Sequence, residues 1–315
     1  MTLATSAFTT YSAIGNREDL SDTIYRIDPT DTPFYSGIER SKASATKHEW
    51  QTQALAAAAA NAQLEGDDSV TPDATTATVR LNNYAQILTK IPRVTGTQRV
   101  VEHAGRDDEM TYQMMLKGME LKRDLEYNLL LNQKAVVGNS STARKWASVL
   151  SWLTSNTSKA GTDPTAADGT DTRTDGTQRA FTEAQLKTVL SSCWTNGGKP
   201  EMIMTGAFNK QQFSTFTGRG TPMQDQAEKK ITASVDVYES DFGRLKVVAN
   251  RFQRSRDVLV LQMDMWAYAP LPNRNFITFD LAKTGDTDKK QILVEATLEA
   301  RNEKASGGVF DLTSS

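Results

Sequence analysis

The sequence predicts an α+β chain in which an extended arm and a long β-hairpin precede one long helix and then a mixed α/β region. Three observations predict it. The stretch Asp28-Pro29-Thr30-Asp31-Thr32-Pro33-Phe34 is punctuated by proline, residues 77–91 carry strand periodicity, and an aspartate-led helical pattern starts near residue 108. Pro29 and Pro33 each fix φ, remove an amide donor and push the preceding residue out of the α region, so 28–34 is not expected to run as a helix. The segment reads as an arm and not as part of a compact core, and an arm must lie on another surface.

The hairpin follows. In 77–91, Val79, Leu81, Ala85, Ile87 and Ile91 share one face, and Arg80, Asn82, Tyr84, Gln86 and Lys90 share the other, which is a period-2 strand. At about 3.3 Å per residue it would reach roughly 50 Å. Paired with Lys47 to Leu55 it forms a two-stranded arm that is marginal alone, so the chain must provide a partner surface, most simply a neighbouring copy. Between the strands, Leu55 to Ala62 is either a short helix or a mobile loop, and Glu65 to Ser69 is turn chemistry at the hairpin tip.

Thr97 to His103 is expected as a short helix broken at Gly105, and Asp107 or Asp108 offers an N-cap for a longer helix to about Lys134. That helix would span roughly 40 Å, with Met115, Met119, Leu125 and Leu129 as a packing stripe and Lys122–Glu126 as an i,i+4 pair. Arg144 to Leu153 reads as an amphipathic segment, and Ser155 to Arg179 as a long exposed loop. From Phe181 the pattern is α/β: helix Thr182 to Trp194 with a Thr182/Gln185 capping box, a stop at Gly197-Gly198, strand Glu201 to Thr205 and helix Ala207 to Phe216. Further strands are expected at Ile231 to Tyr238, Leu245 to Ala249 and Val258 to Met263, with Gly218 to Pro222 as a loop. The alternation of Ile292, Val294, Ala296, Leu298 and Ala300 predicts a long half-buried strand beside the long helix.

Composition narrows the function classes. The 315 residues include 38% hydrophobic and 23% charged types, with no window near the ~18 apolar residues of a membrane span. The N-terminus lacks a basic start and a sustained apolar run, so the product is expected to stay in the cytoplasm where it is made. The 36 basic and 38 acidic residues leave a formal net charge of −2, which disfavours tight sequence-independent DNA binding. A single cysteine, Cys193, excludes an intramolecular disulfide.

Motifs for catalysis are missing. His48 and His103 have no partner at metal-ligand or nucleophile-base spacing; His48 is assigned hydrogen bonding and packing, and His103 the capping of carbonyls. No GxxxxGK[ST], GxGxxG after a strand or HExxH occurs. Asp107, Asp108 and Glu109 suit a first helical turn. Asp168-Gly169 and Asp175-Gly176 complete no calcium loop. No catalytic residue, metal or cofactor is therefore assigned.

Four short motifs, Asp31 to Phe34, His48-Glu49-Trp50, Arg123 to Glu126 and Arg144 to Trp152, in this order and spacing, resemble those of the major head proteins of tailed bacteriophages, which have the Hong Kong 97-like capsid fold. The likeness covers essentially the whole chain. It implies an N-terminal arm at 1–45, an extended loop at 46–93, a peripheral domain with its spine helix at 94–180, an axial domain at 181–270, and return strands of the peripheral domain at 271–315. It also implies pentamers and hexamers in an icosahedral head shell around packaged double-stranded DNA, a virion location after assembly in the host cytoplasm, and no enzymatic activity. Implied partners are the chain itself, a scaffolding protein, a portal and a decoration protein, with weak non-specific contact to DNA and none to membranes. The arm motif begins near Asp22, which suggests a separate scaffolding protein and little cleavage. Some relatives cross-link through an extended-loop lysine, but no lysine lies between His48 and Thr89, so a non-covalent shell is expected.

Candidate assembly-interface residues are Arg17, Glu18 and Arg26 on the arm and Arg80, Lys90 and Arg93 on the hairpin. Each is either a solvated charge or a salt bridge to a neighbour. Two alternative readings are a nanocompartment shell of the same fold, enclosing a cargo enzyme, and an enzyme or DNA-binding protein with unpatterned sites.

Overall fold

The computed structural model describes residues 29–63, 65–66, 74–103, 105–216 and 236–314. The chain first makes a one-turn helix α1 (Pro33–Gly37) and a short strand β1 (Glu39–Arg40). Proline suits the first helical position because its missing amide would have no intrahelical acceptor there. Phe34 and Tyr35 are buried and, with Ile38, join the first core cluster. This corrects the reading of 28–34 as a helix-free arm off the core: these aromatic rings bury too much apolar surface to be left outside.

The hairpin strands are β2 (Lys47–Thr52) and β3 (Val79–Tyr84), paired antiparallel from Lys47↔Tyr84 to Thr52↔Val79. The continuous strand expected over 77–91 is broken at Ala85. Its second half is β4 (Gln86–Lys90), which, like β5 (Arg93–Thr95), pairs with a strand far along the chain. Ala85 and Gln86 are both buried, which interrupts the alternation, so the expected inner face is partly turned out: Val79, Ile87 and Ile91 are exposed. Among the described tip residues, 53–63 and 74–78 contain no regular helix, and they are exposed.

Helix α2 (Gly96–Val100) leads to the long helix α3 (Glu109–Leu130), shorter than the expected 108–134. Asp108 caps it, its carboxylate accepting from Thr111 N at 2.8 Å. The buried stripe is Met110, Leu121, Leu125 and Leu129, with Met114 packed beside it, whereas Met115 is exposed. At 3.6 residues per turn Met119 lies about 120° around the helix from Leu125, so the expected methionine stripe does not share a face with the leucines. Residues Trp146 to Leu153, which include helix α4 (Val149–Trp152), are buried on all sides, so this segment is core and not amphipathic.

The tract 155–179 folds onto the body instead of standing free. It contains strand β6 (Thr157–Ser158), a bridge between Thr162 and Thr174, and buried Arg173. Gly169 has φ +75°, and a Cβ there would come within 2.6 Å of the Ala147 side chain, so only glycine lets the loop approach this closely.

Helix α5 (Glu183–Thr195) carries the expected capping box between Thr182 and Gln185. After it come β7 (Met202–Thr205), α6 (Ala207–Phe213), β8 (Val237–Ser240), β9 (Gly243–Ala249), β10 (Val258–Leu261), β11 (Trp266–Pro270), β12 (Ile277–Leu281), β13 (Thr287–Ala300) and β14 (Gly307–Val309). The loop expected at Gly218 to Pro222 and the start of the strand expected from Ile231 lie outside the described residues.

Two six-stranded sheets and the two-stranded hairpin result. In the first sheet β13 is central: β11 and β12 pair along one side, β4 and β5 along the other, and β1 adds to β11 in parallel. Its core lies between this sheet, α3 and the 146–153 segment. The second sheet runs β6-β14-β10-β7-β9-β8 and packs against α5. The stretch 181–270 thus supplies β7 to β10 to the second sheet and β11 to the first, while β6 and β14 come from outside that stretch. The half-buried strand expected at 292–300 is instead buried on both faces. Ile292, Val294, Ala296 and Leu298 belong to the apolar core. On the other face Glu295 is paired by Arg144 and Arg274, and Glu299 by His48 and Arg301.

Candidate assembly surfaces and the hairpin root

Among the described residues, the hairpin is anchored at its root. Trp50 Nε1 donates to the Ala300 carbonyl at 2.9 Å, and its ring lies 5.5 Å from that of buried Trp152. His48 Nε2 is 3.3 Å from Glu299 Oε2. Burial alone would raise the Glu299 pKa, but hydrogen bonds from His48, Ser41 and Arg301 outweigh it and hold the carboxyl at about 2. Asn83, on the paired strand, is fully buried. Beyond Thr52 the residues turn outward, and Leu55 is 97% exposed.

A second junction holds the arm. Both oxygens of buried Glu126 are used: Oε1 accepts from Phe34 N at 2.9 Å and from Asn250 Nδ2 at 2.7 Å, and Oε2 from Tyr35 N at 2.7 Å. The expected Lys122–Glu126 ion pair is replaced by these bonds, because Glu126 points into the body. Burial pushes its pKa up against the three hydrogen bonds that favour the charged form.

A third junction ties the folded-down tract to the second sheet. Arg173 pairs with Asp163, donates to the Leu153 carbonyl at 2.9 Å and stacks on Phe310 at 3.5 Å. Asp311 accepts from the amides of Ala160, Gly161 and Gly176 and pairs with Arg256 at 3.0 Å. Asp175 pairs with Arg254 at 2.6 Å, and Asp168 accepts from Thr170 N, so these carboxylates serve the loop itself. Asp257 is buried near the same arginines. Burial pushes its pKa up to about 6 despite the opposing charges of Arg254, Arg173 and Arg256.

This last shift gives a pH dependence. A carboxyl whose folded pKa exceeds its unfolded value near 3.8 contributes stability that is fully present below about pH 4 and lost as pH rises through 6. Wild type is therefore expected to gain about 2 kcal/mol relative to Asp257→Asn between pH 6 and 4. Urea midpoints of both chains across that window check it; parallel curves would refute it.

Of the residues expected at interfaces, Arg17, Glu18 and Arg26 lie outside the described residues. Arg80 is exposed and 3.5 Å from Glu49 Oε2 of the paired strand. Lys90 reaches Asp124 Oδ2 at 2.7 Å and Glu120 Oε2 at 3.7 Å, which joins β4 to α3. Arg93 Nε donates to Thr287 Oγ1 at 3.1 Å. The structure does not bring the three together. His103, expected to cap carbonyls, instead lies 2.9 Å from Gln98 Nε2 and 3.7 Å from Glu109 Oε2. Among the described residues, no group of three or more His, Cys, Asp or Glu is placed to hold a metal ion, and no helix is long and apolar enough to cross a membrane. Sequence reasoning missed Asn83, Glu126 and Arg173. Only Asn83 carried a signal, a polar residue at a position of the strand's apolar face; Arg173 lies in a polar run and Glu126 read as a helix-surface partner of Lys122.

The model of the SU10 major capsid protein family matches residues 4–313. The chain belongs to that family. As an SU10-type major capsid protein it is a structural component of a tailed-bacteriophage capsid, with the Hong Kong 97-like fold. It is 28% identical to the major capsid protein of Escherichia phage Phieco32 over 96% of both chains. The fold is also that of a Cyanophage A-1(L) capsid chain, with TM-score 0.65 and 12% identity over 97% and 98% of the two chains. A further solved relative of this major capsid protein, from Phage G gp27 major capsid proteins and gp26 decoration proteins, has TM-score 0.56 and 9% identity over 99% and 100%.

Proposed function

We propose that the chain assembles into pentamers and hexamers that close a non-covalent icosahedral head shell around packaged double-stranded DNA. The observation that carries this reading is the hairpin: its root is locked into the first sheet, while 53–63 and 74–78 are exposed. A two-stranded extension of this kind gains stability only by lying on another surface, and a neighbouring copy supplies the surface in a closed shell. Exposed apolar side chains elsewhere, Ile87 on β4, Ile91 just after it and Trp194 stacked on Phe242 at 5.5 Å, support the same reading. In it, the first sheet with α3 serves as peripheral domain, the second sheet as axial domain, and Arg80 on the hairpin and Arg93 on β5 meet neighbouring subunits. Lys90, already paired within the chain, contributes there to rigidity. The near-neutral charge suits a wall that touches DNA weakly. A scaffolding protein, a portal and a decoration protein are its proposed partners, and assembly takes place in the host cytoplasm. No catalytic step is assigned to the chain.

Negative-stain electron microscopy of the protein, expressed alone and with a candidate scaffolding protein, tests the reading. Closed shells or rings of five and six are expected, and monodisperse monomers under both conditions would sink it. Deleting 56–74 is expected to abolish shells while leaving folded subunits or capsomers; unchanged shells would show that the hairpin is dispensable.

A further inference from the structure

Asn83 sits at the bend where the hairpin parts from the first sheet. β4 begins at Gln86, opposite Ala296 of β13, whereas β3 ends at Tyr84, opposite Lys47 of β2. One strand has thus changed partners across two residues. Where its pairing to β13 stops, the Asn83 side chain takes over. Nδ2 donates to the Leu298 carbonyl at 2.7 Å and to the Ala147 carbonyl at 3.2 Å. Oδ1 accepts from Ala147 N at 2.8 Å and Tyr84 N at 2.9 Å. A single primary amide therefore grips β13 on one side and the buried 146–153 segment on the other, and its own backbone belongs to the hairpin.

The chemistry of that grip is narrow. It needs two donors and an acceptor on a short side chain, which asparagine alone provides at this reach. Aspartate would set a carboxylate against two carbonyl oxygens, and leucine would leave the Ala147 amide without its acceptor in a buried place. The other root contacts, Trp50 to Ala300 and His48 to Glu299, come from β2 and hold the neighbouring strand, not the bend.

We propose that Asn83 is a positioning residue that sets the angle at which the hairpin leaves the body and, through that angle, whether subunits close into a shell. The second half rests on the shell reading given above. Nitroxide labels on cysteines introduced at Gln51 on the hairpin and Thr188 on α5 would report the angle as a distance. Cys193 does not compete for label, since burial pushes its thiol up to about 12. Pulsed electron spin resonance on subunits kept unassembled at low concentration is expected to give one narrow distance for the wild-type background. Asn83→Ala and Asn83→Leu are expected to shift or broaden it. Asn83→Ser, whose hydroxyl keeps one donor and one acceptor, is expected to fall between, and it remains informative where the larger changes prevent folding.

An unchanged distance in a folded Asn83 variant would assign the residue to stability alone and overturn the proposal. A broad distribution in the wild-type background would overturn it before any substitution. Electron microscopy of the same variants then reads the consequence: loss of closed shells, or shells of altered diameter, is expected wherever the distance has moved, and wild-type shells from a shifted variant would refute the second half. Failure of the wild-type chain to form any shell counts against the shell reading, while the distance measurement still decides the role of Asn83.

Discussion

Glu126→Ala is expected to destabilise the subunit by about 3–5 kcal/mol, measured as the shift in denaturant midpoint of unassembled protein. The substitution removes the shared acceptor of the Phe34 and Tyr35 amides and the Asn250 side chain, all in a buried place. Each stranded donor costs about 1–3 kcal/mol, and relief of the buried charge returns part of that sum. The isosteric Glu126→Gln is the sharper comparison. It removes the charge but presents an amide to donors that need an oxygen, so about 1–3 kcal/mol of loss should remain. A change below about 0.5 kcal/mol in both variants would mean that α1 does not depend on this carboxylate.

Arg173→Ala should cost a similar amount, about 3–5 kcal/mol, because it breaks a buried ion pair by deleting one partner. The guanidinium is almost fully buried, pairs with Asp163, and its central carbon lies over the Phe310 ring at 3.5 Å. Asp163 would keep only Lys159 and the Thr157 hydroxyl. Burial also pushes the Arg173 pKa down, so the charge is held at a cost and the pair as a whole adds little net stability. The double variant Arg173→Met/Asp163→Asn should therefore recover much of the loss. A double-mutant cycle with no coupling between the two positions would show that the pair is incidental.

The two junctions mark the limit of what the sequence could convey. Local signals translated well: Asp108 caps α3, Thr182 and Gln185 close a capping box, and β7, β9 and β10 lie close to where their alternation put them. Each of these depends on residues a few positions apart. Apart from the methionine stripe of α3, which helix geometry alone would have refused, the failures depend on residues far apart in the chain. Whether Gln86 faces in or out is decided by β13, more than 200 residues later, and the inward turn of Glu126 by the arm about 90 residues earlier. The tract 155–179 has the composition of an open loop, yet Arg173, Asp163 and Asp311 supply enough mutual satisfaction to fold it down. At the candidate assembly surfaces, the hairpin was legible because its alternation is local, but the partners of Asn83 were not, since an asparagine on the apolar face of a strand states nothing about which carbonyls await it.

The central position of β13 also has a temporal meaning. Every strand of the first sheet except β1 pairs with it, and β4, β5, β11 and β12 are all synthesised before it. Until Leu298, Glu299 and Ala300 leave the ribosome, the β13 anchor points for Asn83, His48 and Trp50 do not exist, so a nascent chain has only the Ala147 and Trp152 side of the root to hold its hairpin. Pairings this distant in sequence close slowly and late. On a polysome, where many unfinished copies stand at high local concentration, that ordering withholds the shape needed for mutual recognition until each chain is nearly complete. The topology itself thus acts as a clock against premature association.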